Sequence, residues 1–80
     1  MARILVTGAT GQIGSELTLE LRSRYGNDNI IATGHSRWPS RRLLKSGPFE
    51  YIDVTDREGL SRIVRNYHID TIYHLAAVLS

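Results

Sequence analysis

Thr7-Gly8-Ala9-Thr10-Gly11-Gln12-Ile13-Gly14 follows directly on the apolar run Ile4-Leu5-Val6, so three glycines at a spacing of three lead into a helical pattern. Arg3–Thr7 reads as a buried strand, and Ile13, Leu17 and Leu21 recur at i, i+4 and i+8 as the core stripe of a helix. A strand that turns at once into a helix needs backbone angles closed to residues with a Cβ, and Gly8 supplies them. Gly11 leaves no side chain between the main chain and an anion, which N–H groups and the positive end of the helix dipole then face. Gly14 stands in the first helical turn, where glycine costs about 1 kcal/mol relative to alanine and makes sense if helix and strand pack closely. Glycines at this spacing also occur in flexible turns. The strand before and the helix after make this one a candidate pyrophosphate cradle.

The 80 residues, 41% of them hydrophobic, suffice for one small domain and exclude a complete two-domain enzyme. A chain of this size buries only about 60–65% of its unfolded surface. The net charge is +2, but ten Lys and Arg are interleaved with eight acids, and only Arg37 to Lys45 forms a basic cluster. That is not the concentrated footprint of a nucleic-acid binder. Without cysteine there is neither a disulfide framework nor thiolate chemistry. No apolar run approaches the roughly 20 residues of a membrane span, and Ile4-Leu5-Val6 stops too soon for a signal peptide. The expectation is a soluble, cytoplasmic protein without membrane or nucleic-acid partners, and the sequence leaves a homo-oligomer open.

Four strand candidates, Arg3–Thr7, Asn29–Thr33, Phe49–Asp53 and Thr71–Leu75, alternate with helical patterns, which argues for βαβ units and a parallel sheet. The first helix spans about Gln12 to Tyr25 and stops at Gly26, with Asn27-Asp28 as the turn. The polar stretch from Gly34 to Ser40 is a loop, followed by a short helix over Arg41–Ser46. A further helix begins after Thr55, read as its N-cap with Glu58 completing a capping box, and carries Leu60, Ile63, Val64 and Tyr67 on one face. The fold class is α/β, a Rossmann-type parallel sheet with flanking helices. Its expected strand order is 3-2-1-4.

The glycine turn, Asp53-Val54 after the third strand and His74-Leu75-Ala76-Ala77 at the fourth together resemble the extended short-chain dehydrogenase/reductase superfamily, which includes NAD-dependent epimerases and dehydratases. Gly11-Gln12-Ile13-Gly14, Arg24-Tyr25-Gly26 leading to Asn29, Ser46-Gly47-Pro48-Phe49-Glu50-Tyr51 and His74 to Ser80 are similar to its L-threonine 3-dehydrogenase branch. The resemblance runs over essentially the whole chain. It implies that Gly8, Gly11, Gln12, Ile13 and Gly14 meet the pyrophosphate, Gln12 and Ile13 through backbone N–H groups. It implies further that Asp53 accepts from the adenine amino group beside Val54, that Leu75, Ala76 and Ala77 line the riboses with His74, and that Ser80 lies near nicotinamide and substrate. Asp53 also reads as an acid that starts a turn into Thr55. His74 reads more readily as a satisfied strand-end histidine than as a catalytic one, and no histidine has metal-ligand spacing with a second ligand.

One position departs from the pattern. Folds that bind NAD place an acid about 20 residues past the glycines to hold the ribose 2′-hydroxyl, whereas this chain has Gly34. Losing the carboxylate removes repulsion against a 2′-phosphate, and Ser36 and Arg37 follow with a hydroxyl and a guanidinium. The residues lean to NADP and the resemblance leans to NAD. An exposed loop in which Arg37 and Trp38 read nothing is the plainer alternative.

The superfamily's chemistry uses a Tyr-x-x-x-Lys pair, in which lysine lowers the tyrosine pKa for proton exchange with a substrate hydroxyl. Tyr25, Tyr51, Tyr67 and Tyr73 are followed four residues on by Asn29, Thr55, Thr71 and Ala77, and Lys45 is the single lysine. No catalytic residue is therefore assigned in these residues, and the chain alone is expected to be inactive. The sequence reads as the N-terminal part, residues 1–80, of an NAD(P)-binding domain in a dehydrogenase that moves hydride between a secondary alcohol and nicotinamide. The alternatives are a nucleotide-sugar epimerase or dehydratase and a non-catalytic dinucleotide-binding module.

Overall fold

The computed structural model describes residues 2–75. Four parallel strands, β1 (Ile4–Thr7), β2 (Ile30–Gly34), β3 (Phe49–Tyr51) and β4 (Thr71–His74), form one sheet in the order β3-β2-β1-β4. The helices between them are α1 (Gln12–Tyr25), α2 (Arg41–Ser46) and α3 (Arg57–Asn66). The chain is thus an α/β Rossmann-like sheet with the expected order, and α1 and α2 keep their expected bounds.

Alternation along the central strands builds a core on each face of the sheet. Ile4, Val6, Ile30 and Ala32 pack with Leu21 of α1 and Leu43 of α2, whereas Leu5 and Ile31 pack with Ile52 and Ile63 of α3. Leu5, Val6, Ile30, Ile31 and Leu43 are fully buried. At about 1.5–3 kcal/mol for each buried aliphatic side chain, β1 and β2 carry most of the apolar stabilisation. Among the described residues β4 pairs with β1 alone, and its four residues are exposed, Ile72 and Tyr73 among them.

The inward face of α1 is rotated from the expected stripe. Gly14, Thr18, Leu21 and Arg22 are buried, Leu17 is half-buried, and Ile13 is 56% exposed. Close approach to the sheet favours small residues there, and Thr18 satisfies its buried hydroxyl by donating to the Gly14 carbonyl at 2.7 Å. Arg22 is 2% exposed and takes the place of an apolar residue. Its Nη1 donates to the Leu43 carbonyl and Ser46 Oγ, both at 2.8 Å, and its Nη2 to the carbonyls of Ile30 at 3.1 Å and Pro48 at 2.6 Å. One guanidinium thereby joins α1, the start of β2, the end of α2 and the entry to β3. Burial lowers its pKa from the ordinary guanidinium value.

Several boundaries differ from the sequence reading. β1 starts at Ile4 instead of Arg3, and β4 ends at His74 instead of Leu75. Asn29 belongs to a 3-10 turn, Asn27–Asn29, so β2 starts one residue late and extends through Gly34, which pairs with Tyr51. β3 ends at Tyr51 because the chain turns away after the Ile52 N–H donates to the Gly34 carbonyl at 2.9 Å. The N-cap of α3 is Asp56, whose side chain accepts from the Gly59 N–H at 3.0 Å, while the Thr55 hydroxyl turns back to donate to Asp53. At the far end His68 takes φ 55, a left-handed conformation, and the Ile69 N–H reaches the Val64 carbonyl at 2.9 Å to close α3.

Replacing Arg22 by methionine keeps much of the volume and removes the guanidinium bonds to the carbonyls of Ile30, Leu43 and Pro48, of which Leu43 keeps the Ser46 hydroxyl and Pro48 the Ala32 N–H as donors. At about 1.5–3 kcal/mol for a hydrogen bond to a charged group, the Arg22→Met full-length protein is expected to lose about 1.5–3 kcal/mol in a denaturant titration.

Candidate functional site

The carboxyl ends of the strands meet the start of α1 around a cavity of about 370 Å³. From the glycine turn it is lined by Gly8, Thr10 and Gly11, and from the end of β2 by Thr33, Gly34, His35, Ser36 and Arg37. Ile52, Asp53 and Val54 close it after β3, and Leu75 after β4. Open α/β sheets bind ligands at this end, where the chain order reverses across the first strand.

The turn is held by backbone geometry. Gly8 has φ 71, which L side chains rarely adopt, and its carbonyl accepts from the Gly11 N–H at 3.3 Å. Ala9 is fully buried and donates its N–H to the Thr33 carbonyl at 2.9 Å, while Thr33 Oγ1 donates to the Val6 carbonyl at 3.0 Å. Those bonds tie the turn to β2. A Cβ on Gly14 would run into the Gly8 carbonyl oxygen and lie 2.9 Å from the Ala9 Cα, so α1 approaches the strand end as closely as main chains allow. Gly11 is the N-cap at φ −73, open to any residue; its glycine is not a demand of backbone angle.

The start of α1 has no capping side chain and no acid in its first turn. The first N–H groups of a helix lack intrahelical acceptors, and those of Gln12, Ile13 and Gly14 are therefore unpaired donors at the positive end of the dipole. Arg22 and Arg24 occupy the last turn, at the negative end. The chemistry available at the turn is anion binding by main-chain donors, which fits a pyrophosphate.

Asp53 does two things at once. Its Oδ1 accepts from the Thr55 N–H at 2.9 Å and the Thr55 hydroxyl at 2.8 Å, and its Oδ2 lies 3.5 Å from His35 Nε2. The Thr55 N–H, then the Thr55 hydroxyl, hold the carboxyl below its ordinary 3.8, with a smaller contribution from His35. The turn-forming reading of Asp53 is thus met by one oxygen, and the other stays at the cavity. Across the site, Thr7 Oγ1 accepts from the Leu75 N–H at 3.2 Å and contacts His74 Nδ1 at 2.8 Å, so the ends of β1 and β4 are joined and His74 is satisfied.

Residues 4–80 match the NAD dependent epimerase/dehydratase family. The chain belongs to that family. A curated relative named as an uncharacterized epimerase/dehydratase of Staphylococcus haemolyticus is 50% identical over all 80 residues, which make up 25% of its length. Among solved structures, the L-threonine dehydrogenase of Clostridium difficile superposes with a TM-score of 0.85 at 47% identity, covering 92% of this chain and 23% of that one. The holo form of a GalE-like L-threonine dehydrogenase from Cupriavidus necator gives 0.85 at 40% identity, covering 98% and 24%. The chain spans about a quarter of the length of the proteins it matches.

In this member of the family, eight of the residues singled out from sequence line one cavity: Gly8, Gly11, Gly34, Ser36, Arg37, Asp53, Val54 and Leu75. Gln12, Ile13 and Gly14 stand beside it at the start of α1. Ala76, Ala77 and Ser80 lie outside the described residues. Thr10, Thr33, His35 and Ile52 also line the cavity, and sequence reasoning passed over them because threonine, histidine and isoleucine at strand ends carry no spacing signal. No helix among the described residues is long and apolar enough to cross a membrane.

Two measurements probe this geometry. In Gly14→Ala the new methyl has to push α1 off the strand end, and full-length protein is expected to lose about 1–3 kcal/mol of stability by denaturant titration. The depressed Asp53 carboxyl makes its turn most stable above the ordinary value of 3.8, and that contribution is lost as pH falls through the lower folded value. Thr55→Val removes the hydroxyl and keeps the N–H, so a carbon-13 NMR titration should find the Asp53 midpoint raised toward 3.8 but still below it.

Proposed function

We propose that residues 1–80 are the N-terminal part of the NAD(P)-binding domain of an oxidoreductase similar to L-threonine 3-dehydrogenase. The observation that carries this reading is the junction of the glycine turn with the uncapped start of α1, opening into a cavity at the carboxyl ends of all four strands. Likeness to threonine dehydrogenases at 40–47% identity supports the branch. The cofactor in this reading is NAD or NADP, and its nicotinamide supplies the acceptor for hydride from a secondary alcohol.

This chain's own residues bind and orient. The amides of Gln12 and Ile13 hold the pyrophosphate, with Gly11 leaving the approach free and Gly8 and Gly14 fixing turn and helix. Asp53 offers Oδ2 to the adenine amino group while Thr55 holds its other oxygen, and Val54 lies against the base. Leu75 lies beside the riboses. Proton transfer belongs to residues of the full-length protein outside this segment, since the segment has no Tyr-x-x-x-Lys pair. A small hydroxylated substrate and a cytoplasmic setting belong to the same reading.

The names of the staphylococcal relatives favour a second reading, an epimerase or dehydratase, and the substrate class taken for it here is a nucleotide sugar. Full-length protein given L-threonine and an oxidised nicotinamide dinucleotide is expected to build up reduced nicotinamide absorbance in proportion to threonine. No threonine-dependent signal, with conversion of a nucleotide sugar under the same conditions, selects the second reading instead.

A further inference from the structure

The end of β2 departs from an NAD site in its backbone packing as well as in its sequence. Gly34 is buried and holds the Ile52 N–H through its carbonyl at 2.9 Å. A Cβ there would lie 2.6 Å from Thr10 Cγ2 and 3.1 Å from Phe49 Cζ. An acidic side chain therefore has no room unless Thr10 turns or is shortened. The carboxylate that would hold a ribose 2′-hydroxyl is absent, and its place is filled by a methyl from the glycine turn itself.

The residues that follow are free to replace it. Ser36 and Arg37 are exposed, line the same cavity as Gly8 and Gly11, and make no hydrogen bond or ion pair among the described residues. The loop that carries them is anchored just beyond, where Pro39 is buried and the Trp38 ring tilts against Tyr51 at a centroid distance of 6.1 Å. Asp53 is the one acid among the lining residues, and its oxygens are turned to Thr55 and His35. An uncommitted guanidinium and hydroxyl, with an imidazole beside them and no opposing free carboxylate, make a site for a phosphate dianion.

We propose that Gly34, Ser36 and Arg37 form a 2′-phosphate subsite, so that this protein selects NADP over NAD, with the Thr10–Gly34 contact excluding the acid that would reverse the choice. The proposal rests on the dinucleotide reading above. Arg37 supplies the charge-assisted bonds, Ser36 donates its hydroxyl, and His35 faces the same mouth of the cavity.

The test is calorimetric titration of full-length protein with NADP and NAD, and with adenosine 2′,5′-bisphosphate and adenosine 5′-monophosphate as shorter probes, in buffer free of phosphate. NADP should bind at least about tenfold more tightly than NAD, the lower end of what a hydrogen bond to a charged group contributes, and the bisphosphate should exceed the monophosphate likewise. In Arg37→Ala the NADP-to-NAD affinity ratio should fall by at least about tenfold, with a weaker salt dependence for NADP. The double variant Thr10→Ala with Gly34→Asp should favour NAD, whereas Gly34→Asp alone should bind both dinucleotides poorly. Equal or tighter binding of NAD by the unsubstituted protein, or an Arg37→Ala loss shared equally by both dinucleotides, overturns this proposal and leaves the dinucleotide reading standing. Binding of neither dinucleotide overturns both.

Discussion

Helix α1 lies so close to the end of β1 that a single methyl group at Gly14 would collide with the Gly8 carbonyl. Much else follows from that contact. It fixes the first turn of the helix directly over the strand end, where the amides of Gln12 and Ile13 project into solvent instead of into protein. It also dictates which face of α1 turns inward, because only small or self-satisfied side chains such as Gly14 and Thr18 fit beneath it. At the other end of the helix, Arg22 is buried with a guanidinium bonded to three further segments, α2, the start of β2 and the entry to β3. A helix held by main-chain contact at one end and a buried cation at the other has little freedom to tilt. That rigidity is what an anion site made of backbone donors requires, since a shift of about an ångström would misalign every donor at once.

The two ends of α1 also divide the electrostatics. Acids are absent from its first turn, and two arginines occupy its last. The macrodipole is thus left unopposed where an anion would bind and neutralised where the helix meets α2. The cavity inherits the positive end. Asp53 is the exception, and its Thr55 turn is what reconciles a carboxylate with such a site: two donors already stabilise the charge on one oxygen, leaving the other directed toward His35 and the cavity. A carboxylate so committed is a positioned acceptor more than a free source of repulsion.

The sheet order and α1 and α2 were legible because each rests on a local rule that tertiary packing did not contradict: strand and helix alternate, Gly26 stops α1, and Ser40 caps α2 through its hydroxyl. The glycine turn was legible for the same reason. What hydropathy misread was the orientation of α1. Ile13 is apolar and points outward, whereas Arg22 is charged and points inward, because the inner face was set by backbone proximity and unsatisfied carbonyls and not by transfer free energy. The N-cap of α3 was misassigned for a related reason. Thr55 and Asp56 are both good caps, and in the fold the Thr55 hydroxyl turns back to Asp53 while Asp56 takes the Gly59 N–H. Local sequence cannot rank two capable neighbours.

The site residues divide along the same line. Those that hold the turn act through their backbones, so a spacing of glycines announces them, and their identity says only that an anion approaches. The residues proposed to distinguish one dinucleotide from another act through side chains on the loops after β2 and β3, where no periodicity constrains them. Gly34 links both groups, since a side chain there is opposed by Thr10 within the turn and by Phe49 of β3, and the residue itself opens the loop that carries Ser36 and Arg37. If Gly34, Ser36 and Arg37 form the proposed 2′-phosphate subsite, a substitution at Thr10 reaches the choice of dinucleotide without touching a charge, and the glycine turn and the loop after β2 cannot vary independently at that one point.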